Sequence, residues 1–127
     1  MKMRTLAKEG DTILLAYTAC NTCKKALKWL DAHGIHYSVR SIVQTPPTEK
    51  ELQEWIPASG INIRKWLNIT GQSYRALGKE KIDQADDMQL IKWLSSDGKL
   101  VKRPVLVQGN KVLVGFQEDD YNVLFFS

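Results

Sequence analysis

Hydrophobic and polar positions follow one another along this chain in short blocks, each closed by a turn residue. "TILLAY", Thr12 to Tyr17, is a compact apolar run and predicts a buried strand. "KKALKWLDAH" follows, with Ala26, Leu27, Trp29 and Leu30 on or near one helical face and Gly34 as the stop. "HYSVRSI" alternates and predicts a second strand, giving a β-α-β unit with parallel neighbours. "TPPTEKELQEWI" opens with a breaker and a capping box, Thr48 followed three residues later by Glu51; Pro57 and Gly60 are expected to close that helix. From Ile61 to Ser96 the pattern is mostly helical: "NIRKWL", "SYRAL" and the longer "QADDMQLIKWL", with "SSDG" as stop and turn. "VLV" (Val105 to Val107), the turn "QGNK" and "VLVGF" predict a β-hairpin, and "EDDYNVLFF" a last amphipathic helix.

The order β-α-β, helices, β-β-α is that of a thioredoxin-like α/β fold with a mixed four-stranded sheet. Here a helical insertion, about residues 48–96, separates the two halves. A length of 127 residues suits one domain, with residues 1–11 as an N-terminal extension. Hydrophobic content of 43% and charged content of 25% place the chain with ordinary globular proteins. The apolar runs are too short to span a membrane, and "MKMRTLAKEGD" lacks the apolar stretch of a signal peptide, so a cytoplasmic protein is expected. The net charge of +4 is spread along the chain rather than gathered in one run, so direct nucleic-acid binding is not expected. Trp29, Trp55, Trp66 and Trp93 each fall in a predicted helix and are expected in the core; "EKE" and "KEK" are expected as solvated surface.

The two cysteines change the picture. Cys20 and Cys23 stand at the predicted strand-to-helix junction. The first turn of a helix carries unpaired N–H groups and partial positive charge, which favour a thiolate. Lys24 and Lys25 add positive charge nearby. Cys20 is the candidate nucleophile, and Cys23, one turn on, the candidate resolving thiol. Two other readings compete. Cysteine is often simply buried and inert. A zinc site would draw on His33 and His36, but their H-x2-H spacing is short for zinc. They also sit at the far end of the helix, some 15 Å away at 1.5 Å per residue. A purely structural disulfide is disfavoured in a reducing compartment. The redox reading is preferred.

"LVKRPVLV" offers a second feature. Pro104 opens a predicted strand, where it costs no ladder hydrogen bond. In a thioredoxin-like sheet the loop entering that strand lies beside the head of the first helix. A cis Pro104 would leave a backbone edge open to a substrate thiol. Arg103 would bring a fixed positive charge to the Cys20 thiolate or to an oxyanion. The bland alternative is a plain surface arginine before a strand proline.

"CNTCKKALKWL", "NITGQSYRAL", "LVKRPVLV" and "VGFQED" together resemble ArsC-like proteins, over nearly the whole chain from Thr12 to Tyr121. That group holds glutaredoxin-linked arsenate reductases, the Spx/MgsR transcriptional regulators and the YffB/YusI-type proteins. The resemblance implies a thioredoxin-like fold with a helical insertion. Cys20 matches the catalytic cysteine of the arsenate reductases, and Arg103 matches one of their oxyanion-binding arginines. A second such arginine falls at about Asn68 and a third near Gly115, and neither is arginine here. Losing two guanidinium donors weakens oxyanion binding; Arg64 and Arg75 are the candidates to replace them. "NITGQSYRAL" is similar to the YffB/YusI branch, and little chain follows "VGFQED" compared with Spx-like regulators. That branch implies a glutathione-dependent thiol reductase, with no bound cofactor and glutathione as co-substrate. Cys20, Cys23 and Arg103 are then the catalytic candidates, and Thr22, Lys24, Asn68 and Pro104 the substrate-binding ones, with no metal ligand. The implied partners are glutathione, glutaredoxin or thioredoxin, acting on a monomer. The alternative is an Spx-like redox-sensing regulator, in which Cys20 and Cys23 form a switch and the partner is the RNA polymerase alpha subunit.

Overall fold

The computed structural model describes residues 12–127; the extension expected over residues 1–11 lies outside them. Strand β1 (Thr12–Ala16) leads through a short turn into helix α1 (Asn21–Ala32), and strand β2 (Ser38–Ser41) follows. Helix α2 (Glu49–Ser59), a 3-10 turn (Ile63–Trp66) and helices α3 (Gln72–Leu77), α4 (Lys79–Gln84) and α5 (Asp87–Ser96) form the insertion. A second 3-10 turn (Gly98–Leu100) leads to β3 (Val105–Gln108), β4 (Lys111–Val114) and helix α6 (Glu118–Phe126).

The sheet order is β2-β1-β3-β4. β1 pairs with β2 in parallel and with β3 antiparallel, and β3 with β4 antiparallel. This is the thioredoxin-like arrangement, with a helical insertion between its halves. Side chains alternate across a strand, and both faces of this sheet are covered. Leu14, Ala16 and Leu106 meet Cys23, Ala26, Trp29 and Leu30 of α1 and Tyr121 of α6 on one face. Leu15, Val105, Val107 and Val112 meet Leu52, Trp66, Leu90 and Leu94 of the insertion on the other. No helix among the described residues is long and apolar enough to cross a membrane.

Several boundaries differ from the sequence expectation, for local reasons. β1 stops at Ala16 because the Tyr17 N–H donates to the Cys23 sulfur (3.4 Å) and its carbonyl accepts from the Cys20 N–H (3.0 Å). Pro57 does not close α2. It sits in the last turn, where few intrahelical bonds remain to be lost, and Gly60 ends the helix at φ +72°. The Thr48–Glu51 capping box forms as expected. The helix expected over "QADDMQLIKWL" forms as α5 but starts at Asp87 rather than Gln84, because the Asp86 carboxylate caps the Gln89 N–H. Helix α4 was not expected; it begins in the "KEK" segment, which is exposed as expected, and ends at Gln84.

Trp29 and Trp66 lie in the core, but Trp55 and Trp93 are only half-buried. Both pack against the core from its edge, and Arg40 lies over the ring of Trp55 and Lys81 over that of Trp93, so each also makes a cation–π contact at the surface.

Candidate active site

Cys20 is the N-cap of α1, and its sulfur accepts the Cys23 N–H at 3.4 Å. A cysteine thus stands where Ser, Thr or Asp ordinarily stands, and a thiolate there would fill the same role. Partial burial of the Cys20 sulfur works against its ionisation. The Cys23 N–H, the Cys23 thiol and the Arg103 guanidinium outweigh that and hold the thiol below its ordinary value. Cys20 is half-exposed, whereas Cys23 is fully buried among Leu14, Ala26 and Leu106. Burial pushes the Cys23 thiol up to about 12; the Tyr17 N–H opposes this, and the neighbouring Cys20 sulfur adds to it. Of the two thiols, Cys20 is the more exposed and the more readily ionised.

Arg103 is brought to Cys20 by the loop entering β3. The Arg103–Pro104 peptide bond is cis, Pro104 is buried, and the Pro104 carbonyl accepts the Gly115 N–H at 2.8 Å. The guanidinium carbon lies 5.0 Å from the centre of the Tyr17 ring. One terminal nitrogen reaches the Lys99 carbonyl at 3.4 Å, and Nε is buried with no hydrogen-bond partner. Arg103 is therefore held by a π face and one long bond, with its charge available to Cys20.

Tyr17 is the residue that sequence reasoning missed. Its backbone N–H serves Cys23 and its ring supports Arg103. The available signal was its position, an aromatic ending a buried strand three residues before a cysteine. Thr22 and Lys24 lie in the first turn of α1 with exposed side chains. Among the charged groups acting on Cys20 the structure brings in Arg103, not Lys24 or Lys25.

Asn68 lies across the loop from Arg103, and its amide donates to the same Lys99 carbonyl at 3.3 Å. Arg64 and Arg75, the candidate replacements for the missing arginines, are engaged elsewhere. Arg64 donates to the carbonyls of Ile82 (2.9 Å) and Ala85 (2.7 Å), and Arg75 to that of Thr70 (2.8 Å). His33 caps the far end of α1, stacked on Trp29 with ring centres 3.9 Å apart, a full helix length from the cysteines. Among the described residues no group of three or more His, Cys, Asp or Glu side chains is placed to hold a metal ion.

The ArsC family model matches residues 15–124. The chain belongs to the ArsC family. YusI of Bacillus subtilis, an uncharacterized protein, is 41% identical over 106 residues, covering 83% of this chain and 90% of YusI. The regulatory protein MgsR of Bacillus subtilis is 28% identical over 108 residues, 85% of each chain. The crystal structure of an ArsC family related protein from Bacteroides fragilis superposes with a TM-score of 0.86 at 42% identity, covering 90% of this chain and 97% of that one. Within this ArsC chain, Cys20 and Arg103 come together as the resemblance implies, and Asn68 stands one carbonyl away from Arg103. At Gly115, where a third arginine was expected from the resemblance, the stem of Lys102 covers the backbone: a Cβ there would lie 3.5 Å from Lys102 Cε.

Proposed function

We propose that this protein is a cytoplasmic thiol–disulfide oxidoreductase that works with glutathione. The observation that carries the reading is the unequal thiol pair, Cys20 half-exposed and acidified at a helix N-terminus, Cys23 buried and held protonated. The Cys20 thiolate attacks one sulfur of a substrate disulfide. A Cys20–substrate disulfide forms and the other substrate sulfur leaves as a thiolate. Cys23 then gives up its proton and attacks the Cys20 sulfur, expelling the second substrate thiolate. The substrate is reduced by two electrons and the protein is left with a Cys20–Cys23 disulfide. Two glutathione molecules restore the dithiol and leave as glutathione disulfide; a single glutathione can also resolve the first adduct directly.

The timing follows from the electrostatics. While Cys20 is a thiolate, its charge and hydrogen bond help keep Cys23 protonated. Once Cys20 is bonded to substrate that charge is gone, so one influence that raises the Cys23 thiol is lifted, while the Tyr17 N–H still favours its thiolate against burial, the largest influence. Arg103 holds the Cys20 thiolate in the resting state and again as it is expelled. The cis Pro104 edge is the surface against which the substrate disulfide lies. Arsenate is a weaker fit, since Asn68 and Gly115 supply no guanidinium.

The test is turnover of a glutathione mixed disulfide by the wild type, Cys20→Ser and Cys23→Ser. Cys20→Ser is expected to be inactive, and Cys23→Ser to accumulate a glutathione adduct seen by intact mass. Undiminished turnover by Cys20→Ser sinks the proposal. The likeness to MgsR supports a second reading, a redox-sensing regulator that contacts the RNA polymerase alpha subunit. Binding of the alpha C-terminal domain that changes with the Cys20–Cys23 oxidation state would favour it over the enzyme.

A further inference from the structure

Tyr121 stands in the first turn of α6, and its side chain is fully buried in the cluster that holds Cys23, Leu14 and Leu106. Two edge-to-face contacts clamp its ring: Phe116 at 4.8 Å between ring centres and Trp29 at 5.5 Å, each at 80°. The hydroxyl is buried and has no hydrogen-bond partner among the described residues. An unpaired buried hydroxyl opposes folding, and a phenylalanine would keep the same ring packing without it. Burial holds the phenol above its ordinary value, and Cys23, the ionisable group that acts on it, adds to this. The hydroxyl therefore keeps its proton and can donate it in a hydrogen bond. Trp29 Nε1 is the other buried donor of this cluster without a partner. It belongs to a residue almost two turns beyond Cys23 on α1, about 9 Å away along the axis at 1.5 Å per residue.

We infer that the Tyr121 hydroxyl is held in reserve for the Cys23 thiolate: it turns its O–H to the Cys23 sulfur when that sulfur ionises, and the thiolate then sits between Tyr121 and the Tyr17 backbone N–H. The inference deepens the thiol-exchange reading above and rests on it for its function. A neutral thiol is a weak acceptor and does not draw the hydroxyl in, whereas a thiolate accepts a charge-assisted bond. Resolution creates that thiolate in a site closed to water, where a donor already in place has most effect. In that step the Cys23 S–H bond breaks and its proton passes to a buffer base. The Cys23 sulfur bonds to the Cys20 sulfur, and the Cys20–substrate bond breaks with its electron pair leaving on the substrate sulfur. Tyr121 keeps its own proton throughout. The groups acting on Cys23 are then Cys20, Arg103 and the Tyr17 N–H, joined by the Tyr121 hydroxyl.

The experiment uses Tyr121→Phe. Urea unfolding should place it at or above the wild type, since an unpaired hydroxyl is removed. A clear loss of stability would reveal a structural partner for the hydroxyl and overturn the inference. The reduced proteins are then mixed with dithiobis-nitrobenzoate, whose two coloured halves are released in turn, the first by attack of Cys20 and the second by resolution. The first release should be unchanged and the second about tenfold slower near neutral pH, the effect of one charge-assisted hydrogen bond. Equal second phases overturn the inference. A second arm reads the hydrogen bond without exchange between the two sulfurs. In Cys20→Ser, the rate at which Cys23 reacts with methyl methanethiosulfonate follows its thiolate fraction. Adding Tyr121→Phe should slow that reaction about tenfold, more than any gain in stability accounts for. Loosened packing would speed it instead, so an equal or faster rate overturns the inference. A slower rate here, together with only one release in the wild type, removes the thiol-exchange reading and supports the bond between Tyr121 and Cys23.

Discussion

Gly98 offers a sharp test of how the insertion is docked. It is buried in the 3-10 turn before β3, and a Cβ placed on it would fall 1.7 Å from the Ile42 carbonyl oxygen and 2.6 Å from its carbon. Ordinary contact begins near 3.4 Å, so the backbone after β2 must retreat by about 1.7 Å to admit an alanine. Gly98 is not one of the glycines with positive φ, so the obstacle is space rather than backbone conformation. Overpacking of this kind costs about 3 kcal/mol or more, because backbone cannot rotate away as a side chain can. For a chain of this size that is a fall of about 10 °C in Tm. Gly34→Ala is the matched control. Gly34 has φ +68° and nothing within 4 Å of a Cβ, so its cost is conformational alone, about 1 kcal/mol. Urea unfolding followed by tryptophan fluorescence measures both variants. Gly98 also adjoins Lys99, whose carbonyl joins Asn68 to Arg103, so Gly98→Ala should slow alkylation of Cys20 at neutral pH. A Gly98→Ala protein no less stable than Gly34→Ala would refute the packing argument.

Two further outcomes follow from the thiol pair. Arg103→Gln removes a cation that favours the Cys20 thiolate, so the pH midpoint of iodoacetamide alkylation at Cys20 should move up; an unmoved midpoint would separate Arg103 from the thiol. Cys23 holds its proton more tightly when folded, up to about 12 against an ordinary 9.0, so the unfolded chain releases it first. Its contribution to stability is intact below pH 9 and is lost as pH rises from about 9 to 12. Urea unfolding at pH 8 and pH 10.5 should therefore show a smaller loss in Cys23→Ala than in the wild type, and equal losses would contradict the assignment.

Local patterns carried most of the fold into view. The capping box at Thr48 and Glu51, the apolar run of β1 and the Gly109–Asn110 hairpin turn each act over a few residues, and each forms where the sequence placed it, β1 one residue shorter than expected. The start of α5 at Asp87 was harder to see, because an acidic residue inside the first turn of a helix and one capping it look alike in a sequence. Trp55 and Trp93 pack against the core as an aromatic on a helical face should, but only in part. The rest of each ring is covered at the surface by a cation from elsewhere in the chain, which the local pattern does not show. At the candidate site, the cysteines were legible because helix N-termini act on their own first turn. Arg103 and Pro104 needed the fold to join them to Cys20, and the element order, which gave the thioredoxin-like sheet, supplied that join. Tyr17 stayed hidden because its two contacts, one through backbone and one through its ring, exist only once α1 and the β3 loop are in place.

The separation of Cys20 from Arg103 along the chain also orders events during synthesis. β1, α1 and both cysteines emerge from the ribosome long before the β3 loop is made. The early segment can form its helix N-cap, but it has no guanidinium at Cys20 and no β3 to pair with β1. Closing that long loop is among the entropically costly steps of assembly. A nascent or truncated chain therefore lacks the guanidinium that lowers the Cys20 thiol and the burial that raises the Cys23 thiol, so its two thiols are nearly alike and become unequal only with the last quarter of the protein. The division of labour between the two sulfurs is thus a product of the completed fold rather than of the C-x-x-C segment alone.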